Sequence, residues 1–288
     1  MAIKPSVVVT GVSTGIGWGT AKVLIQRGFR VFGSVRKQAD AERLQTEFGA
    51  PFVPLHFDVT DEPALRKAAR QVEDSLAGVT LSGLVNNAGI AVPGPLLHIP
   101  AAEVRRQLEV NLIGPLLVTQ AFAPLLGAGT KLIGKPGRIV NISSVAGKIG
   151  VPFLGPYVAS KHALEGFSEC LRRELLFYGV DVIVIGPGSV LTPIWDKAAR
   201  EDWSAYRQTG YGPAIERFAQ FFIDQGRKGL PAERIGEAVH TALTASHPRL
   251  RYAVVPQQLL NWTLPRLLPK RFLDRLISRQ IGLAPQGR

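Results

Sequence analysis

The chain has 288 residues, 46% of them hydrophobic, and carries a formal net charge of +12 with a pI near 10.2. That length fits one large α/β domain, and the apolar fraction excludes a disordered or fibrous chain. The single cysteine, Cys170, excludes an internal disulfide and reads as a small apolar helix residue.

The opening Met1-Ala2-Ile3-Lys4-Pro5 lacks the long apolar stretch and cleavage site of a signal peptide, so a cytoplasmic chain is expected. Ser6 to Thr10 is an unbroken β-branched run, the pattern of a buried strand. A helix is expected over Gly15 to Gln26, then strands over Arg30 to Val35, Pro51 to Phe57 and Leu81 to Val85. Glu62 to Leu76 and Ala101 to Leu126 read as helices. From Leu112 to Thr130 no residue is charged. Gly114, Pro115, Gln120, Pro124 and Gly127 interrupt that stretch, so it reads as a buried helix with broken ends rather than a membrane span. Strands are expected at Arg138 to Ile142, Val180 to Ile185 and Arg251 to Val255, with helices at Tyr157 to Phe177 and Glu233 to Ala245. This alternation predicts a single α/β domain: a doubly wound (Rossmann), seven-stranded parallel sheet with helices on both faces. In such sheets ligands bind beyond the carboxyl ends of the strands, and the residues just after each strand are the ones to weigh.

After the first strand comes Thr10-Gly11-Val12-Ser13-Thr14-Gly15-Ile16-Gly17. Glycines at a strand-to-helix junction let the backbone turn tightly and approach a pyrophosphate, which meets the free N–H groups of the helix. Three glycines can also make a plain turn; their place after the first strand favours the nucleotide. The second strand ends Ser34-Val35-Arg36-Lys37, without the acid that would bind a ribose 2′-hydroxyl. Arg36 can pair with a 2′-phosphate instead, which favours NADP(H) and leaves NAD(H) as the second choice.

Tyr157 and Lys161 stand one helical turn apart, so both heads can reach one site. A nearby ammonium is expected to lower the phenol's pKa and suit it to proton transfer at an alcohol or ketone. Ser143 and Ser144 follow the fifth strand, where a hydroxyl can hydrogen-bond a substrate oxygen; the plainer alternative is a pair of turn serines. Asn86-Asn87-Ala88-Gly89 follows the fourth strand, and Asn111 lies in the long helix, either as a functional amide or as a satisfied core one.

In this order and spacing the motifs resemble the short-chain dehydrogenase/reductase family over roughly Ser6 to Val255. The resemblance rests on the glycine turn, Asp58, the Asn86–Gly89 turn, Asn111, Ser144, Tyr157 with Lys161, and Pro187-Gly188-Ser189-Val190-Leu191-Thr192. It implies that Tyr157 is the acid/base, that Lys161 tunes it and binds the nicotinamide ribose, and that Ser144 holds the substrate oxygen. Asn111 would hold a water in the proton relay. Gly11, Ser13, Thr14, Gly15, Ile16 and Gly17 would cradle the cofactor, with Asp58 and Val59 at the adenine. Asn87, with Ala88 and Gly89, would lie at the adenine ribose, and Thr192, with Pro187, Gly188 and Val190, at the carboxamide. One departure is Thr14, where many NADP-using members carry a base; Arg36 must then do most of the discrimination. A homo-oligomer, dimer or tetramer, is also implied, and more weakly the retinol and 17β-hydroxysteroid dehydrogenase branch.

A substrate lid is expected over about 190–230. Seven aromatics, Trp195, Trp203, Tyr206, Tyr211, Phe218, Phe221 and Phe222, fall within 28 residues there, a density that suits an apolar pocket. Ile90 to Pro93 and Ile149 to Leu154 would add apolar wall, so a small apolar carbonyl or alcohol such as a steroid or retinoid is expected. A domain over 1–256 would be followed by an extension over 257–288. Residues 249–288 hold eight Lys/Arg against one acid, Asp274, so most of the net charge is in the tail. From Arg271 to Ile281 an apolar stripe runs beside Arg271, Arg275 and Arg279, the pattern of a basic amphipathic helix. Such a helix either closes over the pocket or a partner subunit, or touches an anionic membrane peripherally. Nothing resembles a helix-turn-helix, a metal-ligand spacing or an RNA-binding signature, so neither nucleic acid nor a metal is expected. A nicotinamide-sensing binding protein without chemistry is the alternative function, and the Asn111, Ser144, Tyr157 and Lys161 set weighs against it.

Overall fold

The structure, a computed structural model, describes residues 4–129 and 132–283. Met1, Ala2 and Ile3 of the opening, Thr130 at the end of the uncharged run, and Arg288 of the tail lie outside the described residues. β1 (Ser6–Val9) is buried at every position, as its Val-Val-Val run requires of a central strand covered on both faces. The glycine turn leads into α1 (Gly15–Gln26), β2 (Arg30–Val35), α2 (Gln38–Phe48) and β3 (Phe52–His56). α3 (Glu62–Leu76) shows how closely sequence dictates an element. Asp61 caps it by accepting the Ala64 N–H at 3.0 Å, and Leu65, Ala68, Val72 and Leu76 form its buried stripe. It ends where Ala77 turns left-handed, at φ 50°.

β4 (Gly83–Asn86) precedes the long helical stretch, which is not one regular helix. α4 (Ala101–Leu108) passes through a π turn at Glu109–Ile113 into α5 (Gly114–Phe122), followed by a 3₁₀ turn over Ala123–Leu126. By length and composition Ala101–Leu126 could cross a membrane. Here Val118, Phe122, Leu125 and Leu126 pack into the core with β4 and α3 residues, as the expectation of a buried, broken helix required. β5 (Arg138–Ile142), α6 (Gly155–Leu175) and β6 (Asp181–Pro187) follow. Then come β7 (Val190–Leu191), α7 (Ile194–Ala199), α8 (Ser204–Arg207), α9 (Gly212–Gly226), β8 (Leu230–Pro231), α10 (Ala232–Thr244) and β9 (Arg251–Val254). After β9 a π turn at Leu259–Thr263 leads to α11 (Leu264–Leu267) and α12 (Lys270–Ile281).

The sheet has the order β3-β2-β1-β4-β5-β6-β9 with every pairing parallel. All seven expected strands are present. The order reverses direction between β1 and β4, and that switch point opens the crevice beyond their carboxyl ends. A separate parallel pair, β7 with β8, ties the two ends of the lid together. On one face α1 and α10 approach so closely that a Cβ on Gly19 would lie 2.7 Å from the Ala232 carbonyl carbon. Cys170 departs from its expected packing: it is exposed on α6.

Candidate active site

The glycine turn is built by its neighbours. Gly11 and Gly15 have φ of 70° and 61°, a conformation that favours glycine. The Gly11 N–H donates to Ser34 Oγ at 2.8 Å, which pins the turn to β2. A Cβ on Gly17 would strike the Gly11 carbonyl oxygen and sit 2.6 Å from Asn87 Nδ2. Thr14 precedes α1 in an extended conformation and makes no side-chain cap, so the helix's first N–H groups face the crevice. An uncapped helix N-terminus behind an open glycine cradle fits a pyrophosphate. Ile16 lies at the crevice wall and Ser13 at its rim.

The β4 turn braces that cradle. Asn87 Nδ2 donates to the carbonyls of Thr10 (2.8 Å) and Gly11 (3.1 Å), and the Asn87 and Ala88 N–H groups both donate to Thr10 Oγ1. Both amide hydrogens of Asn87 are thus spent on the cradle. At the far end Arg36 lies 77% exposed with Nη1 3.4 Å from Asp58 Oδ2. Burial pushes the Asp58 carboxyl up, but the Thr60 N–H and hydroxyl and the Arg36 cation together hold it below its ordinary value. Val59 is buried against Gly114 of α5, so its side chain is packing.

Ser144, Tyr157 and Lys161 meet as expected. Ser144 stands after β5 and is the N-cap of a 3₁₀ turn, accepting the Ala146 N–H at 3.1 Å. Its hydroxyl also hydrogen-bonds the Tyr157 phenol. Lys161 Nζ donates to the Ile142 carbonyl at 2.8 Å and lies 5.7 Å from the Tyr157 ring centroid. One expectation needs correction. Burial pushes the Tyr157 phenol above its usual value, and the Ser144 hydrogen bond offsets this only in part. The buried Lys161 is itself lowered to about 8 by desolvation, against the Glu165 carboxylate that raises it. The ammonium therefore does not pull the phenol toward neutrality here, because enclosure outweighs it.

Asn111 lies in the π turn, buried, and all its amide hydrogens have protein partners. Oδ1 accepts the Ile90 N–H at 2.9 Å; Nδ2 donates to the Ile90 carbonyl (3.0 Å) and Ser160 Oγ (3.1 Å). Gly89 leaves room for it, a Cβ there lying 3.2 Å from Oδ1. The side chain thus ties the β4 turn to α6, and only acceptor groups remain for a water.

Above these residues opens a cavity of about 260 Å³. Ser144, Tyr157, Pro187, Gly188, Val190 and Thr192 line one side, Trp195, Trp203, Phe218 and Phe222 the lid side. Ala91, Pro93, Val151 and Leu154 complete the wall. Three expected lid aromatics do otherwise: Tyr206 and Tyr211 pack beneath the lid, and Phe221 is partly exposed. Thr192 also lies against the glycine cradle, 3.2 Å from where a Gly15 Cβ would be.

Three contributors were not read from the sequence. Arg43 reaches from α2 to the Ser13 carbonyl at 2.6 Å, bringing a cation to the rim where Thr14 brings none. The buried Glu165 and the part-buried Arg251 form an ion pair beneath Ser144. Glu165 follows Lys161 by one helical turn, a spacing that could have flagged it; Arg43 and Arg251 gave no such signal.

Residues 5–203 match the family model for short chain dehydrogenases. An NADPH-dependent 3-dehydrocapnine reductase of Ornithobacterium rhinotracheale is 42% identical over 277 residues, covering 95% of this chain and 96% of its own. Retinol dehydrogenase 5 of Homo sapiens is 32% identical over 289 residues, covering 94% and 87%. Among solved structures, a short-chain dehydrogenase from Streptomyces avermitilis superposes with TM-score 0.75 at 22% identity over the whole of both chains. One from Burkholderia cenocepacia, in complex with NADP, gives 0.71 at 23% identity over 96% of this chain and 99% of its own. The fold is shared with both, and the chain belongs to the short-chain dehydrogenase family of oxidoreductases.

Proposed function

We propose that the protein is an NADP(H)-dependent oxidoreductase that interconverts a carbonyl and an alcohol on an apolar substrate. The observation that carries this reading is the meeting of Ser144 and Tyr157 at one wall of an aromatic-lined cavity, beside the open cradle of α1, with the buried Lys161 Nζ 5.7 Å from the Tyr157 ring centroid. The cofactor, when bound, supplies or takes up the hydride. Gly11, Ser13, Thr14, Gly15, Ile16 and Gly17 would hold its pyrophosphate on the α1 N-terminus, with Asp58 and Val59 at the adenine. Asn87, Ala88 and Gly89 meet the adenine ribose, and Pro187, Gly188, Val190 and Thr192 the nicotinamide.

In reduction Tyr157 donates its proton to the substrate oxygen while the Ser144 hydroxyl hydrogen-bonds that oxygen as charge develops on it. Lys161 as ammonium stabilises the phenolate left behind and binds the nicotinamide ribose. A water held at Asn111, through an acceptor its side-chain contacts leave over, returns the proton. Arg36, now 3.4 Å from Asp58, would hold the 2′-phosphate, and Arg43 on the Ser13 carbonyl would add a second cation. The NADPH-dependent relative and the NADP complex of the Burkholderia protein support the same choice. We read it as a cytoplasmic homo-oligomer whose tail either closes over the pocket or a partner subunit or touches a membrane peripherally.

The test is turnover of a panel of steroid, retinoid and small ketones with NADPH and NADH, beside cofactor titrations. NADPH should support reduction of at least one apolar ketone, and Arg36→Asp should weaken NADPH binding by about 1–3 kcal/mol, the scale of a charge-assisted contact. Tight NADPH binding with no turnover on any carbonyl would leave a binding protein in place of the enzyme.

A further inference from the structure

Ser144 sits on a loop whose backbone is held from below. Arg251 of β9 donates from Nη2 to the Ser144 carbonyl at 3.1 Å, and from Nε to both oxygens of Glu165 at 3.0 and 3.1 Å. Glu165 is buried on α6, one turn past Lys161, and Lys148 Nζ approaches it at 3.3 Å from the loop side. The loop rests directly on this carboxylate: a Cβ on Gly147 would lie 3.0 Å from Glu165 Cγ. The guanidinium itself lies across Gly186 of β6, where any side chain would strike Nη2.

The other face of the guanidinium is covered by the tail. Trp262, buried in the π turn after β9, has its ring 4.2 Å from Arg251 Cζ, and Arg266 stacks on the same ring at 4.4 Å. One ion pair thus touches the loop of the candidate substrate-binding serine, the helix of the candidate lysine and the first turn of the C-terminal segment. Buried ion pairs contribute little net stability, because desolvation offsets their attraction. What this one supplies is a fixed place for Ser144.

We propose that the Glu165–Arg251 pair, covered by Trp262, is a positioning device that sets Ser144 against Tyr157 and makes the C-terminal segment part of the active site's support. This rests on the proposed function only for its kinetic readouts. Glu165 is also the carboxylate that keeps Lys161 protonated, opposed by desolvation, with Lys148 and Arg251 the cations facing it and Tyr157 beside Lys161 on α6. Removing it should let Lys161 lose its proton at lower pH.

Arg251→Ala leaves the buried Glu165 carboxylate with only the part-exposed Lys148 at 3.3 Å and can fail to fold, so the informative variant is the double Glu165→Gln/Arg251→Met, which removes both charges and keeps volume. It should fold and bind NADPH within about twofold of wild type, yet lose kcat by about tenfold or more, the scale of a displaced contact group. The alkaline limb of kcat/KM for NADPH should move below its wild-type position near 8. Trp262→Ala, which leaves the pair in place, should lower kcat in the same direction. A folded double variant with wild-type kcat and an unmoved limb overturns the proposal, and so does a Trp262→Ala enzyme of wild-type kcat. Crystal structures of the variants decide the matter without a substrate: Ser144 displaced from Tyr157 supports the device, and Ser144 in its wild-type place overturns it even if no carbonyl is turned over.

Discussion

In the proposed reaction Tyr157, Ser144 and Lys161 divide one task by their environments. Enclosure raises the phenol, so Tyr157 holds its proton through the physiological range and can give it up only to a developing alkoxide. Tyr157→Phe keeps the ring and removes that proton. Turnover should fall by at least about 10²-fold, the low end for loss of a general acid, with NADPH affinity unchanged in a fluorescence titration. The pH dependence follows from Lys161. Its pKa is lowered to about 8, so the ammonium is present below that pH and lost above it. Because kcat/KM for NADPH reports the free enzyme, it should be flat at neutral pH and fall as pH rises through about 8. A limb only near 10 would show that Lys161 is not desolvated as the structure has it. At the residue scale the sequence named three residues that the fold does bring together, Ser144, Tyr157 and Lys161, because order and spacing along the chain survive folding. It did not disclose the environment that reverses the expected phenol shift. Nor could it disclose Arg251 as the partner of Glu165, 86 residues away, since only the sheet order brings β9 beside β6 and α6.

Elements built on a repeating pattern were legible, and those built on a local exception were not. The unbroken β-branched run of β1 marks a strand buried on both faces, and each of the seven strands lies where a short β-rich run was read. The π turn at Glu109–Ile113 carries no period of its own, and its cause is tertiary: Asn111 is drawn into contact with Ile90 and Ser160. β7 and β8 have two residues each, too few for any pattern to show. The unit from β1 through the glycine turn to α1 is where an element meets function. Gly17→Ala should force the Gly11 carbonyl and Asn87 apart and so distort the cradle. NADPH affinity should drop by about tenfold or more, some 1.4 kcal/mol. Gly166→Ala on α6, where a Cβ meets nothing within 4 Å, is the control. It should leave NADPH affinity alone and add about 0.5–1 kcal/mol of stability in urea unfolding. Equal NADPH affinity in both variants would mean that the turn does not carry the pyrophosphate.

At the scale of the molecule the tail is divided between a face that packs on the fold and a face left exposed. The amphipathic pattern from Arg271 to Ile281 was visible in the sequence, but which side it would bury was not, because an apolar stripe does not name its partner. In the structure Ile277, Ile281 and Leu283 pack with Phe153 ahead of α6 and with Ile215 and Phe218 of the lid, so part of the stripe closes the fold. The remainder faces outward. Leu259, Leu260, Leu264, Leu267, Phe272 and Leu276 are all exposed, Leu267 by 76%. Arg266, Lys270, Arg271, Arg275 and Arg279 are exposed among them. Leucine and phenylalanine beside a row of cations suit the boundary of an anionic bilayer: the charges draw the surface in, and apolar burial holds it. Docked there, the lid next to α12 would sit against the phase in which an apolar substrate collects. The intact protein should therefore sediment with anionic liposomes at low salt and be released as salt rises, since each exposed cation near such a surface contributes about 1 kcal/mol and is screened by ions. Leu267→Asp with Phe272→Asp adds repulsion on the outward face and leaves Ile277 and Ile281 on the lid. That double variant should stay in the supernatant while keeping its NADPH affinity. If wild type stays in the supernatant with anionic liposomes at low salt, the outward leucines meet another copy of the chain or water, and the enzyme works without a membrane.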